Sequence, residues 1–262
     1  MFVRQVDGPP GAIPILLLHG WTSSADLNWW RVYGRLGTLG PVIAVDHRGH
    51  GRGLRSDEPF TLEAAADDAA GVLRELGLGP AIVCGYSMGG PIAMLLWRRH
   101  PKLVAGLVLE ATALEWRASP AERFIWRTMS LVERVMRSAR SKSVVDRLLR
   151  EVLEECPALI EHRGWLQGEF RRGDPTAIAN AGRAIGNYDG RPFAGSVDVP
   201  AAVVVTTQDR LVWPSKQRAL AGAIPGAQQF DLAADHDACL VSIEDFADVT
   251  VQAVKAVADR TG

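Results

Sequence analysis

The residue whose setting most invites chemistry is Ser87, in the run Gly85-Tyr86-Ser87-Met88-Gly89. An apolar stretch ends just before it and a helix-like stretch begins just after. A G-x-S-x-G pentapeptide between strand and helix makes a turn so tight that side chains at the flanking glycines would clash. The serine is forced into strained backbone geometry that pushes its hydroxyl into the open. The helix start beside it offers unpaired N–H groups to a developing negative charge. Such a hydroxyl is suited to nucleophilic attack on an acyl carbon. The plainer alternative is a helix-start turn in which Ser87 only caps, since serine is a favoured N-cap.

A serine nucleophile needs a base, and the base needs an orienting acid, following in the order Ser, Asp/Glu, His at strand ends. "VVVTTQDRLVWP" puts Asp209 just beyond a buried run, and "FDLAADHDACL" puts His236 just beyond the last one. Glu110, which ends "LVAGLVLE", is a rival acid; Asp209 is preferred. Asp235 and Asp237 adjoin the histidine in sequence, where they are poorly placed to bond its Nδ1, and read as loop and cap residues. Of the six histidines, His100 ends a helix before Pro101, His162 lies in a helical stretch, and His47 and His50 lie in "DHRGHG". Only His236 stands in the right slot. Two backbone donors should stabilise an oxyanion: the N–H of Met88, directly after the nucleophile, and that of Trp21, which follows His19-Gly20 in "LLLHGWTSS". Substrate contacts are expected from Trp21, Tyr86 and Trp213. Trp29 and Trp30 are also placed near the mouth, with Trp116, Trp126 and Trp165 above it, and large aromatics there favour an apolar acyl or aromatic substrate. Ordinary packing is the competing account of the last three. Cys84 and Cys239 flank the site in sequence and read as packing residues.

These side chains need a scaffold that brings strand ends together. Apolar runs at 13–18, 42–45, 81–84, 103–109, 201–206 and 227–232 alternate with helix-like stretches at 61–76, 88–99, 214–222 and 243–258. That rhythm predicts an α/β fold with a parallel sheet covered by helices, and near-continuous apolarity fits strands buried on both faces. Pro41, Pro80, Pro101 and Pro200 each precede a strand, where a fixed φ stops the preceding element. The rhythm breaks after Leu109. Residues 115–190 read as an all-helical insertion, leaving 1–114 and 191–262 as the core. Only about a dozen residues precede the first buried run, enough for one edge strand.

With 262 residues, 47% hydrophobic and 23% charged, the chain fits a single α/β core with an insertion. A net charge of −1 supplies no global field for nucleic acid or an anionic membrane. Three widely spaced cysteines without a C-x-x-C pair argue against a disulfide framework or a zinc site, and fit a cytoplasmic setting. No apolar run is long enough for a membrane span, and no signal-peptide pattern precedes the first one. Within 123–150 the insertion is locally basic, with Arg123, Arg127, Arg134, Arg137, Arg140, Lys142, Arg147 and Arg150. A solvated face is preferred there over a surface for anionic head groups.

Taken together, "HGW" at 19–21, "DHRGHG" at 46–51, "GYSMGG" at 85–90, "DRLVWP" at 209–214 and "DHDAC" at 235–239 make the chain resemble the α/β-hydrolase-fold family, in particular its small actinobacterial-type esterases with a helical cap. The resemblance implies a mostly parallel sheet, a helical lid over the site, and Ser87, His236 and Asp209 as nucleophile, base and orienter. It implies a serine hydrolase of carboxylic esters working through an acyl-enzyme without cofactor or metal, on a small-molecule ester. Thioester hydrolysis, acyl transfer, C–C cleavage, perhydrolysis or a sensing role with vestigial chemistry are the alternatives. One departure is the short N-terminus, with room for about half of the usual leading hairpin. Oligomeric state is not legible.

Overall fold

The near-continuous apolar runs form strands whose two faces are both covered. The computed structural model describes residues 1–117, 122, 123, 126, 147, 150, 153, 154 and 156–261. Strands β1 (Val3–Val6), β2 (Ile15–Leu18), β3 (Val42–Val45), β4 (Ala81–Tyr86), β5 (Val104–Glu110), β6 (Ala201–Thr206) and β7 (Gln228–Leu232) make a seven-stranded sheet in the order β1-β3-β2-β4-β5-β6-β7. β1 runs antiparallel to β3 at the margin, and the other neighbours are parallel. The residues before β2 form one edge strand, β1.

Alternation along each strand sends successive side chains to opposite layers. Leu16, Leu18, Val83, Leu107 and Val203 pack with the helices Leu62–Glu75, Gly89–Arg99 and Pro214–Ala223. Ile15, Leu17, Cys84, Val108 and Val204 pack on the other side with Ala25–Trp29, Tyr33–Gly37 and Ile243–Ala258. This two-sided burial is why the strands lack polar alternation. Local chemistry fixes helix starts. Thr61 Oγ1 accepts from Ala64 N–H (3.0 Å), and Asp174 caps the helix Pro175–Asn187 through Ala177 N–H (2.7 Å). Ala25–Trp29 and Tyr33–Gly37 were not expected; at five residues each they are too short to show a helical period.

Between β5 and β6 the chain leaves the sheet and returns at one place. Glu115 and Asp189 form an isolated antiparallel bridge, and Gly190 N–H donates to Leu114 O (2.7 Å). The described helices of this stretch are Arg163–Phe170 and Pro175–Asn187, preceded by a 3-10 turn at Pro157–His162. Most of 118–155 lies outside the described residues, including Arg127, Arg134, Arg137, Arg140 and Lys142 of the basic run. No helix among the described residues is long and apolar enough to cross a membrane.

Candidate active site

β4 runs through Tyr86, and the chain turns at Ser87 directly into the helix Gly89–Arg99. Ser87 sits at φ 51°, in the left-handed region that non-glycine residues rarely adopt. A Cβ on Gly85 would lie 2.3 Å from Gly89 O, and one on Gly89 would lie 2.1 Å from Leu18 O. Both positions therefore require glycine. The strained residue is pinned from the neighbouring strand: Ser87 N–H donates to Glu110 O (2.8 Å), and Thr112 Oγ1 donates to Ser87 O (2.8 Å).

His236 reaches this turn from the loop after β7. Its Nε2 lies 3.0 Å from Ser87 Oγ, and its Nδ1 lies 2.8 Å from Asp209 Oδ2. With Asp209 as acceptor, the neutral ring carries its proton on Nδ1 and leaves Nε2 to accept from the serine hydroxyl. Asp209, 4% exposed, is held by more than the histidine. Its Oδ1 accepts from Leu211 N–H (2.8 Å) and Val212 N–H (2.7 Å), and its Oδ2 from Thr206 Oγ1 (2.7 Å) and Gln217 Nε2 (3.1 Å). Gln217 is fully buried and also bonds Thr206 N–H and Val212 O, so it fixes the loop that presents the acid. Thr206 and Gln217 escaped the sequence reading. The available signal was a glutamine sharing a helix face with Leu220, three residues on.

The rival carboxylate points elsewhere. Glu110 is buried beneath the turn, where Thr250 Oγ1 of the helix Ile243–Ala258 donates to its Oε2 (3.2 Å). Burial pushes its pKa up to about 8, the behaviour of a neutral acid rather than of a charged orienter. Asp235 does loop work: it accepts from His236 N–H (2.7 Å) and grips Arg210 through N–H (2.9 Å) and Nε (2.5 Å), tying the two loops together.

The same architecture occurs in solved structures. The enol-lactonase of Burkholderia xenovorans superposes with a TM-score of 0.83 at 26% identity, covering 97% of this chain and 96% of that one. A family model for the alpha/beta hydrolase fold matches residues 13–134. The chain has the α/β-hydrolase fold. Among curated relatives, a pimeloyl-[acyl-carrier protein] methyl ester esterase of Chromobacterium violaceum is 29% identical over 257 residues, 94% of each chain. A protein of the same name from Neisseria meningitidis serogroup C is 29% identical over 214 residues, 80% of this chain and 81% of its own.

Within this fold, the loop after β2 lies against the serine turn. A Cβ on Gly20 would lie 3.4 Å from Ser87 Cβ, and Gly20 N–H donates to Asn28 Oδ1 (3.0 Å). Among the described residues the N–H groups of Trp21 and Met88 have no protein acceptor, which leaves both free to donate. Behind the loop, three histidines are stacked in the core. His19 Nδ1–H donates to Gly20 O (2.7 Å) and its Nε2 accepts from His47 N–H (3.0 Å). The ring centroids of His47 and His50 lie 4.2 and 5.5 Å from that of His19. Burial lowers His19 to about 4, His50 to about 3 and His47 well below the usual value, so all three are neutral supports of the loop.

Of the expected substrate contacts, Tyr86 and Trp213 sit in opposite settings, one buried and one exposed. Tyr86 is 3% exposed, packs edge-on to Trp29 and Phe246, and donates its hydroxyl to His236 O (2.6 Å). Strand parity explains it: Ile82, Cys84 and Tyr86 all face the helix Ile243–Ala258. Tyr86 thus braces the histidine loop from beneath. Trp213 is 66% exposed, next but one to Leu211 at 68%, and precedes the helix Pro214–Ala223. Trp29 is wholly buried rather than at the mouth, and Trp30 packs on Trp165 and His162. Trp21 is half-buried, with its indole N–H on Ile178 O (2.7 Å) and its ring 6.1 Å from that of Trp126. Trp126 in turn meets Trp116 edge-on at 6.2 Å.

Proposed function

We propose that this α/β-hydrolase is a serine hydrolase of small carboxylic esters with an apolar or aromatic acyl group. The observation that carries the reading is the unbroken chain of contacts from Ser87 Oγ through His236 to Asp209, with a strained serine backbone at one end and a five-donor carboxylate at the other. Ser87 Oγ attacks the acyl carbon while its proton passes to His236 Nε2. Asp209 holds the ring by Nδ1–H and stabilises the imidazolium. The carbonyl oxygen becomes an oxyanion between the N–H groups of Met88 and Trp21. The leaving alkoxide takes the proton from Nε2, and a water activated by the same nitrogen hydrolyses the acyl-enzyme.

Residues 115–190 act as a cap over this site, on a core of 1–114 and 191–262. Support for an apolar acyl group comes from the Trp21–Trp126 ring contact beside the oxyanion loop, packed against the apolar cluster that contains Met88, Ile185 and Val212. Relatives named as a methyl ester esterase and an enol-lactonase share the ester carbonyl as the reacting group. The reading is checked with a fluorophosphonate probe, which is expected to modify Ser87 alone, and with a p-nitrophenyl acyl-chain series run beside its thioester counterparts. Ser87→Ala is expected to lower kcat at least about 10³-fold. A folded protein that neither labels nor turns over esters overturns it.

A further inference from the structure

The loop that carries the Trp21 N–H has little internal structure of its own. Between Gly20 and Ser24 the only backbone bond is Ser23 N–H to Gly20 O at 3.4 Å, and Thr22 stands at φ 62°. Such a segment keeps one geometry only if side chains fix it from outside. Four contacts do so. Asn28 Oδ1 holds Gly20 N–H and His19 Nδ1–H holds Gly20 O from within the core, whereas the other two fixings come from the cap. Ile178 O accepts the Trp21 indole N–H (2.7 Å), and Glu169 Oε2 accepts the Ser24 hydroxyl (2.6 Å).

The Glu169 contact is costly enough to need a reason. The residue sits on the helix Arg163–Phe170 and is 4% exposed, so its carboxylate has been taken out of water. Arg172 Nε approaches Oε1 at 3.1 Å, and Arg52 Nη2 lies 3.8 Å from Oε2 while also bonding Asp26 (2.7 Å). The charge is compensated, and the carboxylate is aimed at one hydroxyl. Ser24 is itself fully buried, and its Oγ accepts from Leu27 N–H (3.1 Å) at the start of the helix Ala25–Trp29. One hydrogen bond therefore joins cap and core at the Ser24 end of the oxyanion loop.

We propose that Glu169 is a positioning residue for ester hydrolysis: by holding Ser24 from the cap it sets the Trp21 N–H in its oxyanion-binding place. This rests on the reading of Ser87 as an ester nucleophile. The seating of the cap and the stabilisation of the oxyanion are then coupled, because the cap supplies two of the loop's four fixings.

The experiment compares wild type, Glu169→Ala and Glu169→Gln on p-nitrophenyl butyrate, and measures binding of an alkyl trifluoromethyl ketone, which forms the tetrahedral oxyanion, beside that of the matching methyl ketone. Glu169→Ala is expected to lower kcat by about 10- to 100-fold and to weaken the trifluoromethyl ketone in parallel, with KM and the methyl ketone changed less than about threefold. Glu169→Gln keeps an oxygen that accepts from Ser24 and is expected to recover most of kcat. Should Glu169→Ala melt below the assay temperature, Ser24→Ala removes the other end of the bond, and the double variant is expected to be no worse than the poorer single one. An active wild type whose Glu169→Ala loses only KM, loses both ketones equally, or is not rescued by glutamine overturns this proposal alone. A wild type inert to esters and to a fluorophosphonate overturns the activity reading, and this proposal with it.

Discussion

Glu110 ends β5 and Asp209 follows three residues after the end of β6, and the difference between them lies in what surrounds each carboxyl. Five hydrogen-bond donors converge on Asp209 and fix its direction. Glu110 meets a single hydroxyl in an apolar setting and keeps its proton. Asp209→Asn is accordingly expected to cut kcat by about 10³- to 10⁴-fold, since an amide in that place favours the wrong imidazole tautomer. Glu110→Gln is expected to leave kcat within about threefold. Steady-state kinetics on one p-nitrophenyl ester checks both, and the reverse pattern would transfer the acid's role to Glu110. Tyr86 works at the same scale but through the backbone. Tyr86→Phe keeps the ring and strips the donor from His236 O, and is expected to lower kcat about 3- to 10-fold without raising KM. A rise in KM with unchanged kcat would mark Tyr86 as a substrate contact after all.

At the scale of elements, the turn around Ser87 is the part that tolerates least. Gly89→Ala places a methyl group on Leu18 O of the adjacent strand, backbone against backbone, so neither side can give. It is expected to cost more than about 3 kcal/mol in a urea titration. Gly71→Ala, on the helix Leu62–Glu75 where a Cβ meets nothing within 4 Å, is expected instead to stabilise by about 0.5–1 kcal/mol. A Gly89→Ala protein as stable as wild type would remove the steric account of the motif. The same contrast explains what the sequence could disclose. Strand and long-helix positions were readable because burial on both faces and proline or glycine punctuation are local signals. Asp209 and His236 were readable because each follows a strand end. The burial of Tyr86 was not legible because the fourth strand reads as ending at Cys84; two more residues of parity turn its ring inward. Glu169, 145 residues from the serine it holds, has no local signature, since nothing in "LQGEF" distinguishes a buried grip from a solvated helix face.

For the whole molecule, the buried titratable groups pull stability in opposite directions as pH changes. His19, His47 and His50 are neutral in the fold, with pKa values at or below about 4 for His19 and about 3 for His50, whereas an unfolded histidine takes up its proton near 6.5. From about pH 4 to 6.5 the unfolded chain therefore binds more protons at these sites, and stability rises with pH. Glu110 has the opposite sign. Folded, it keeps its proton to about pH 8; unfolded, it loses it near 4.5, so its contribution declines as pH rises through that window. Where the windows overlap, three histidines outweigh one carboxyl and the slope stays upward; above about 6.5 the histidines fall silent and Glu110 alone turns it down. Urea titrations are thus expected to place maximum stability near pH 6.5, with a steep acid limb and a shallow alkaline one. Glu110→Gln is expected to flatten the alkaline limb and leave the acid limb untouched. An alkaline decline of unchanged slope in that variant would mean that some group other than Glu110 takes up the proton on folding, because a glutamine at that place has none to hold.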